Sequence, residues 1–316
     1  MTIRSFLFVY ALIFSISAQA QDMSAFTLDP AAGAAVSFES QYMAPPPGHG
    51  DLTIEEQKGF AKVPVFKRED RSLSVMVKAE RTELGERLVF EKRGIEIPEE
   101  FGTAEVGVAW AQKQDGDNRF GASAAIGSAG QRLLDNGLTP IISVNMSWDR
   151  PASESRSWLY FISYSNNRPI LNNIPLPGIG YSIKSAKSRT ILGLPFLFYT
   201  AYPDPWQVTA ALSPFGAFFE GGYRFWGPLQ TFVGGGWTPR SYQNLIKGSA
   251  DRLLFNKKEI GTGLRFLMGR QGSVSLAYMY NLGRQFMLGR SISDDNADSV
   301  SIENSGGFQL RARLTF

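Results

Sequence analysis

Side chains that alternate apolar and polar over about ten residues, segment after segment, restrict a chain more tightly than its composition does. Residues 306–316, GGFQLRARLTF, show the pattern most clearly. Phe308, Leu310, Ala312, Leu314 and Phe316 fall on one side, with Gln309, Arg311, Arg313 and Thr315 on the other. A period of two belongs to a strand with one greasy and one polar face. The same period runs through Val36–Tyr42, Leu73–Ala79, Val106–Trp110, Ile142–Trp148, Trp158–Tyr164, Trp206–Leu212, Ala217–Phe225, Ile260–Met268 and Val274–Leu282. Turn signals part these segments: QDGDN (114–118), PDP (203–205), WGP (226–228) and GRQG (269–272). Alternating segments of this length between turns are the signature of a membrane-spanning β-barrel.

The first twenty residues read as a secretory signal peptide. Arg4 supplies the positive start, Phe6 to Ile16 the apolar stretch, and Ala18-Gln19-Ala20 a small-x-small cleavage site, with cleavage expected after Ala20. That apolar stretch is too short to cross a bilayer as a helix, and no later stretch reaches the roughly 18 apolar residues such a helix needs. The chain has no Cys, so a lipidated N-terminus, disulfides and thiolate metal sites are excluded. With 32 basic and 29 acidic residues, the net charge of +3 is too even to argue for nucleic acid. Gly (32), Phe (23), Tyr (11) and Trp (6) are the informative counts, because glycine and aromatics suit barrel walls and their interfacial girdles.

These readings predict an all-β fold: a transmembrane antiparallel up-and-down β-barrel in the bacterial outer membrane, formed by residues 21–316 as one domain. Residues 21–70 are expected to give one N-terminal strand followed by a Pro/Gly loop, APPPGHGD, and a charged connector through Arg71. Both termini on the periplasmic side require an even number of strands. The short run at Leu88–Glu91 is the one to discard, leaving about 12–14. Short connections at WGP and GRQG against longer polar ones around 241–251 and 291–305 suit periplasmic turns and outer loops. Trp148, Trp158, Tyr199, Trp206, Phe225, Trp226 and Trp237 near strand ends suit interfacial girdles.

The closing segment resembles the terminal strand that outer-membrane barrels present to the barrel assembly machinery, with Phe308, Leu310, Leu314 and Phe316 as its signal positions. Between Arg168 and Phe225 the stretches IPLPGIGYSIK, ILGLP, PDPW and ALSPFGAFFEGGYRF, and later NLGRQFMLGRS (281–291), resemble a domain-of-unknown-function family of bacterial outer-membrane barrels. That resemblance extends over residues 60–316. It implies fold and location and brings no catalytic residue.

Alternation points Glu39, Lys78, Glu80, Glu105, Glu220, Arg224, Arg265, Arg311 and Arg313 into the lumen. On the lipid face a mid-membrane Arg or Lys would cost about 2–4 kcal/mol. These charges either line an aqueous path or pair across the interior and seal it. Glu220 and Arg224, four apart on one strand face, stand for both readings. The first expectation is a pore or transport protein for small solutes, with the lumen charges as its selectivity lining. The alternative is a closed-lumen structural or interaction barrel whose outer loops bind lipopolysaccharide or a partner. A third reading is a lipid hydrolase. It would rest on the single histidine, His49, with Asp51 nearby, and a lone loop histidine is ordinarily a solvated residue. DGDN (115–118) and DDNAD (294–298) carry oxygens suited to a divalent cation, but they match no calcium loop and read as solvated acidic turns. GGG (234–236) lacks the strand-to-helix setting of a phosphate cradle. No cofactor, metal or catalytic residue is expected. The expected partners are outer-membrane lipid, lipopolysaccharide and the assembly machinery, with no nucleic acid.

Overall fold

Alternating segments fold as the period of two dictates. The computed structural model describes residues 33–47, 51–130, 139–243, 251–269 and 271–316. Its strands, in chain order, begin with β1 (Ala35–Met43), β2 (Ile54–Lys67), β3 (Arg71–Leu84), β4 (Leu88–Phe90), β5 (Ile95–Ile97) and β6 (Glu100–Lys113). They continue with β7 (Arg119–Gly130), β8 (Thr139–Ser153), β9 (Arg156–Ser165), β10 (Leu176–Lys184), β11 (Ser188–Leu194), β12 (Leu197–Ala201) and β13 (Trp206–Ser213). The last are β14 (Gly216–Trp226), β15 (Leu229–Tyr242), β16 (Arg252–Leu267), β17 (Gly272–Gly289), β18 (Asp298–Ile302) and β19 (Gly306–Thr315).

Sixteen of these make one antiparallel wall, each paired with its neighbours in sequence. β4 and β5 form a separate hairpin, and β18 adds a short extension beside β17 above the wall. β19 pairs with β17 on one side and with β1 on the other, from Ala35 opposite Thr315 to Met43 opposite Gly307. That last pairing closes the cylinder and leaves no sheet edge to face lipid.

Burial runs opposite to that of a water-soluble protein. Val77, Val106, Ile126 and Ile142 lie side by side across four strands and all face outward, with Ile126 57% exposed. Between them the polar residues Ser74, Glu80, Thr103, Ser123 and Ser147 are buried. An apolar exterior around a polar interior is stable only in lipid. Val106→Arg therefore puts a charge in the middle of this belt and should cost about 2–4 kcal/mol. Urea titration of the folded protein in lipid vesicles, read by tryptophan fluorescence, checks it; an unchanged midpoint would mean the face is not in lipid.

The connections sort by end. Those at 68–70, 114–118, 154–155, 185–187, 202–205, 227–228 and 268–271 are short and share the end where β1 begins and β19 stops, here the turn side. At the other end, the loop side, lie the long connections 85–99, 166–175 and 290–305, and two tight ones at 195–196 and 214–215. Trp148, Trp158, Tyr199, Trp206, Phe225 and Trp226 gather in the turn-side half, and Trp237 stands toward the loops.

The wall holds more than the expected 12–14 strands, for two reasons. The connector assigned to residues 54–70 is β2, whose inward face carries Glu56, Lys58 and Lys62. Charge density that reads as a loop is here the lumen side of a strand. The apolar run at 189–202, which reads as one segment, is two strands, β11 and β12, joined by a two-residue turn at Pro195 and Phe196. Leu88–Glu91 is not part of the wall; its first three residues are β4. DRPASES (149–155), polar as a loop would be, is mostly strand, with a turn at 154–155 alone. The signal peptide and His49 lie outside the described residues.

Candidate functional site

A sixteen-stranded barrel with a round cross-section would enclose an aqueous channel. This one is pinched. β6 and β15, with β3, β2, β1, β19, β17 and β16 between them on the shorter way round, touch directly. Phe101 on β6 meets Tyr242 on β15 edge-on at 4.8 Å, and Phe286 on β17 at 5.9 Å. At the loop side this contact sets a narrow lobe, bounded by these six strands, apart from a wide lobe walled by β7 to β14.

The narrow lobe is filled with paired charges. Lys257 Nζ donates to Gln41 Oε1 and Glu56 Oε1 at 2.9 Å and lies 3.0 Å from Glu259 Oε2. Arg240 reaches across the pinch to Glu56 at 2.8 Å and stands 4.0 Å from Glu80. Lys78 sits 3.4 Å from both Glu80 and Glu105. Glu39 takes Lys58 at 2.8 Å and Arg311 at 2.9 Å. Gln309 and Gln41 join the two halves through amide hydrogen bonds. Five acids (Glu39, Glu56, Glu80, Glu105, Glu259) meet five bases (Lys58, Lys78, Arg240, Lys257, Arg311) in these ion pairs, and Lys62 is a further buried base on the same side. Arg284 lies in the same lobe and donates to Ser305. Above them an apolar cluster closes the loop side: Leu52, Phe90, Ile97, Leu253, Leu288 and Ile302. Arg93, in the turn of the β4–β5 hairpin, pairs with Asp251, and its backbone N–H donates to Asp298 at 3.1 Å, tying that hairpin to two neighbouring loops.

A separate pair stands on the turn side of this network. Arg265 holds Glu220 through two hydrogen bonds of 2.7 Å and lies over the Phe232 ring at 4.5 Å. Glu220 thus pairs across β15, not along its own strand with Arg224. Arg224 is exposed at the turn-side rim, 3.8 Å from Asp204, and does not line the inner lumen as expected. Arg313 faces inward below Arg311.

A cavity of about 280 Å³ lies in the wide lobe and reaches the charge network, where Lys58, Lys78, Glu80, Glu105 and Arg240 also line it. Its lining runs from the loop rim, at Arg168, Pro195 and Phe215, to mid-wall, at Gly107, Ala125 and Asn145. One side is polar, with Ser143, Asn145 and Ser163; the other is aromatic, with Phe161, Phe196 and Phe218. Phe161 and Phe196 stand 5.0 Å apart. Gly178 makes room for them, because a Cβ there would lie 1.9 Å from the Phe161 ring. Arg168 folds in from the loop 166–175. It donates to Ser163 Oγ at 2.6 Å and to the Ile174 carbonyl at 3.1 Å. On the turn side of Phe161 and Phe196, the inward residues Leu159, Ile191 and Phe198 are buried together.

The sequence reading missed these cavity residues. The β9 alternation points Phe161 inward, on the face opposite Trp158, Tyr160 and Ile162. Phe196 sits in a turn that the segment reading had passed over. The acidic turns bind their own backbone. Asp294 accepts the N–H groups of Arg290 at 3.0 Å and Asn296 at 3.1 Å, which hold its carboxyl below the usual range. Asp117 is likewise lowered by Lys113 at 2.6 Å. Among the described residues no group of three or more acidic or histidine side chains is placed to hold a metal. On the outer face of β19, Phe308, Leu310, Leu314 and Phe316 are exposed.

A closed antiparallel wall, an apolar belt and a polar interior define a transmembrane up-and-down β-barrel. No family model matches the chain, so the resemblance to an uncharacterised family has no matching model behind it, and no curated protein matches either. Solved structures that align with it include the Pseudomonas putida toluene transporter TodX, with 8% identity over 90% of this chain and 89% of that one, TM-score 0.40. Pseudomonas aeruginosa OccK2 (OpdF) aligns with 10% identity over 92% and 99%, TM-score 0.39. The beta domain of the Bordetella autotransporter Brka aligns with 10% identity over 90% and 99%, TM-score 0.31. At these values none of them assigns a solute or a role to this chain.

Proposed function

We propose that this barrel is a gated transport protein of the bacterial outer membrane, passing a small solute through the wide lobe rather than through a central bore. The observation that carries this reading is the division of the lumen. Ion pairs crowd one side of the lumen, while the other keeps a cavity open from the loop rim to mid-wall, with the buried Leu159, Ile191 and Phe198 as its apolar floor in this reading. The lumen charges singled out in the sequence then serve mainly to brace the narrow lobe, and selectivity falls to other residues. Phe308, Leu310, Leu314 and Phe316 fit a role as the assembly machinery's docking strand, and the long loops fit contact with lipopolysaccharide.

Planar-bilayer recording tests it. Wild-type protein should give small, mostly closed single-channel currents. Phe198→Ala, which thins the floor, should raise conductance or open time severalfold. No ion current from either protein would sink the transport reading. That outcome would favour a closed-lumen interaction barrel, which the sealed narrow lobe also suits.

A further inference from the structure

We infer that the turn-side mouth of the wide lobe is an anion filter, and that the transported solute is a small organic anion with an apolar body. This rests on the transport reading above. Toward the turns, the inward positions of the wide-lobe wall carry Arg119 on β7, Lys184 on β10 and Arg189 on β11. Asp149, directly opposite Arg119 in the ladder, is the acid that faces them. On β7 to β11 the inward positions at this mouth hold three bases and one acid.

Lys184 and Arg189 sharpen the point. They are directly opposite each other in the β10–β11 ladder and both point inward. Like charges so placed repel and destabilise a sheet. Neither takes part in an ion pair among the described residues, and the Arg189 Nε is buried without a hydrogen-bond partner. Packing gives no reason for the pairing, but an anion crossing between them does. Focused positive charge in a low-dielectric opening raises the local concentration of anions and excludes cations. Upstream, the solute passes the Phe161, Phe196 and Phe218 wall, which favours a body that is apolar or flat. Arg168 places a further guanidinium at the loop-side entrance.

The test is ion selectivity of the full-length protein in planar bilayers, with potassium chloride and then sodium benzoate gradients. Wild type should pass chloride and benzoate in preference to potassium and sodium. Lys184→Gln combined with Arg189→Gln should lower the anion-to-cation permeability ratio about tenfold, the effect of removing unit charges at a few ångströms in partly screened surroundings. This variant removes a repulsion and so should fold. Lys184→Arg with Arg189→Lys should keep the wild-type ratio. Cation-selective or unselective wild-type current, or an unchanged ratio in the glutamine variant, would overturn the filter while leaving transport standing. Silence from both wild type and Phe198→Ala would instead remove the transport reading, and the filter with it.

Discussion

Lys257→Met should lower the stability of the folded barrel by about 3–5 kcal/mol, the usual cost of leaving buried charge uncompensated. Lys257 is 1% exposed and touches Gln41, Glu56 and Glu259 at once, so methionine keeps the stem and removes the one cation those oxygens share. Arg240 still reaches Glu56, which should keep the loss from being larger. Urea unfolding in vesicles, followed by tryptophan fluorescence and by loss of heat-modifiable gel mobility, measures it. A midpoint within error of wild type would mean that water already fills the narrow lobe.

Arg265→Met should cost a similar amount by the same physics, because Glu220 loses both hydrogen bonds of a bidentate pair inside the wall. Here the companion variant is the informative one. Replacing both partners, Glu220→Leu with Arg265→Met, should recover most of the loss, since a well-packed apolar pair is often as stable as a buried ion pair. If the double variant is as unstable as the single, Arg265 contributes mainly by packing over Phe232 and not through its charge.

The wall was legible in the sequence wherever an alternating apolar face stood between recognisable turns. Val106 and Val108, Ile142 and Val144, and Val274 and Leu276 all face outward as their spacing requires. β2 was not legible, because Glu55, Glu56, Lys58 and Lys62 make its sequence look solvated. A strand whose polar face packs against opposite charges has no apolar signature on that side. The turn at Pro195 and Phe196 was hidden by apolar residues on both flanks. Of the candidate site, alternation placed Glu39, Glu105, Arg265 and Arg311 on the inner face, but their partners lie on strands far apart in sequence. Arg240 with Glu56 and Lys257 with Glu56 are contacts that no local pattern encodes. Arg224 has inward parity yet lies too close to the turn to reach the interior. Lys184 and Arg189 flank the turn at 185–187, and only the ladder shows that they oppose each other and share the inner face.

The contact between Phe101 and Tyr242 makes strand number a poor guide to bore. Hydrogen bonds around the sixteen-strand ring set its circumference, and a ring of constant length divided in two can enlarge one compartment only at the expense of the other or by parting its waist. Passage of anything bulkier than the present cavity therefore has a mechanical consequence on the far side: it must compress a compartment already packed with ions or prise apart two aromatic rings.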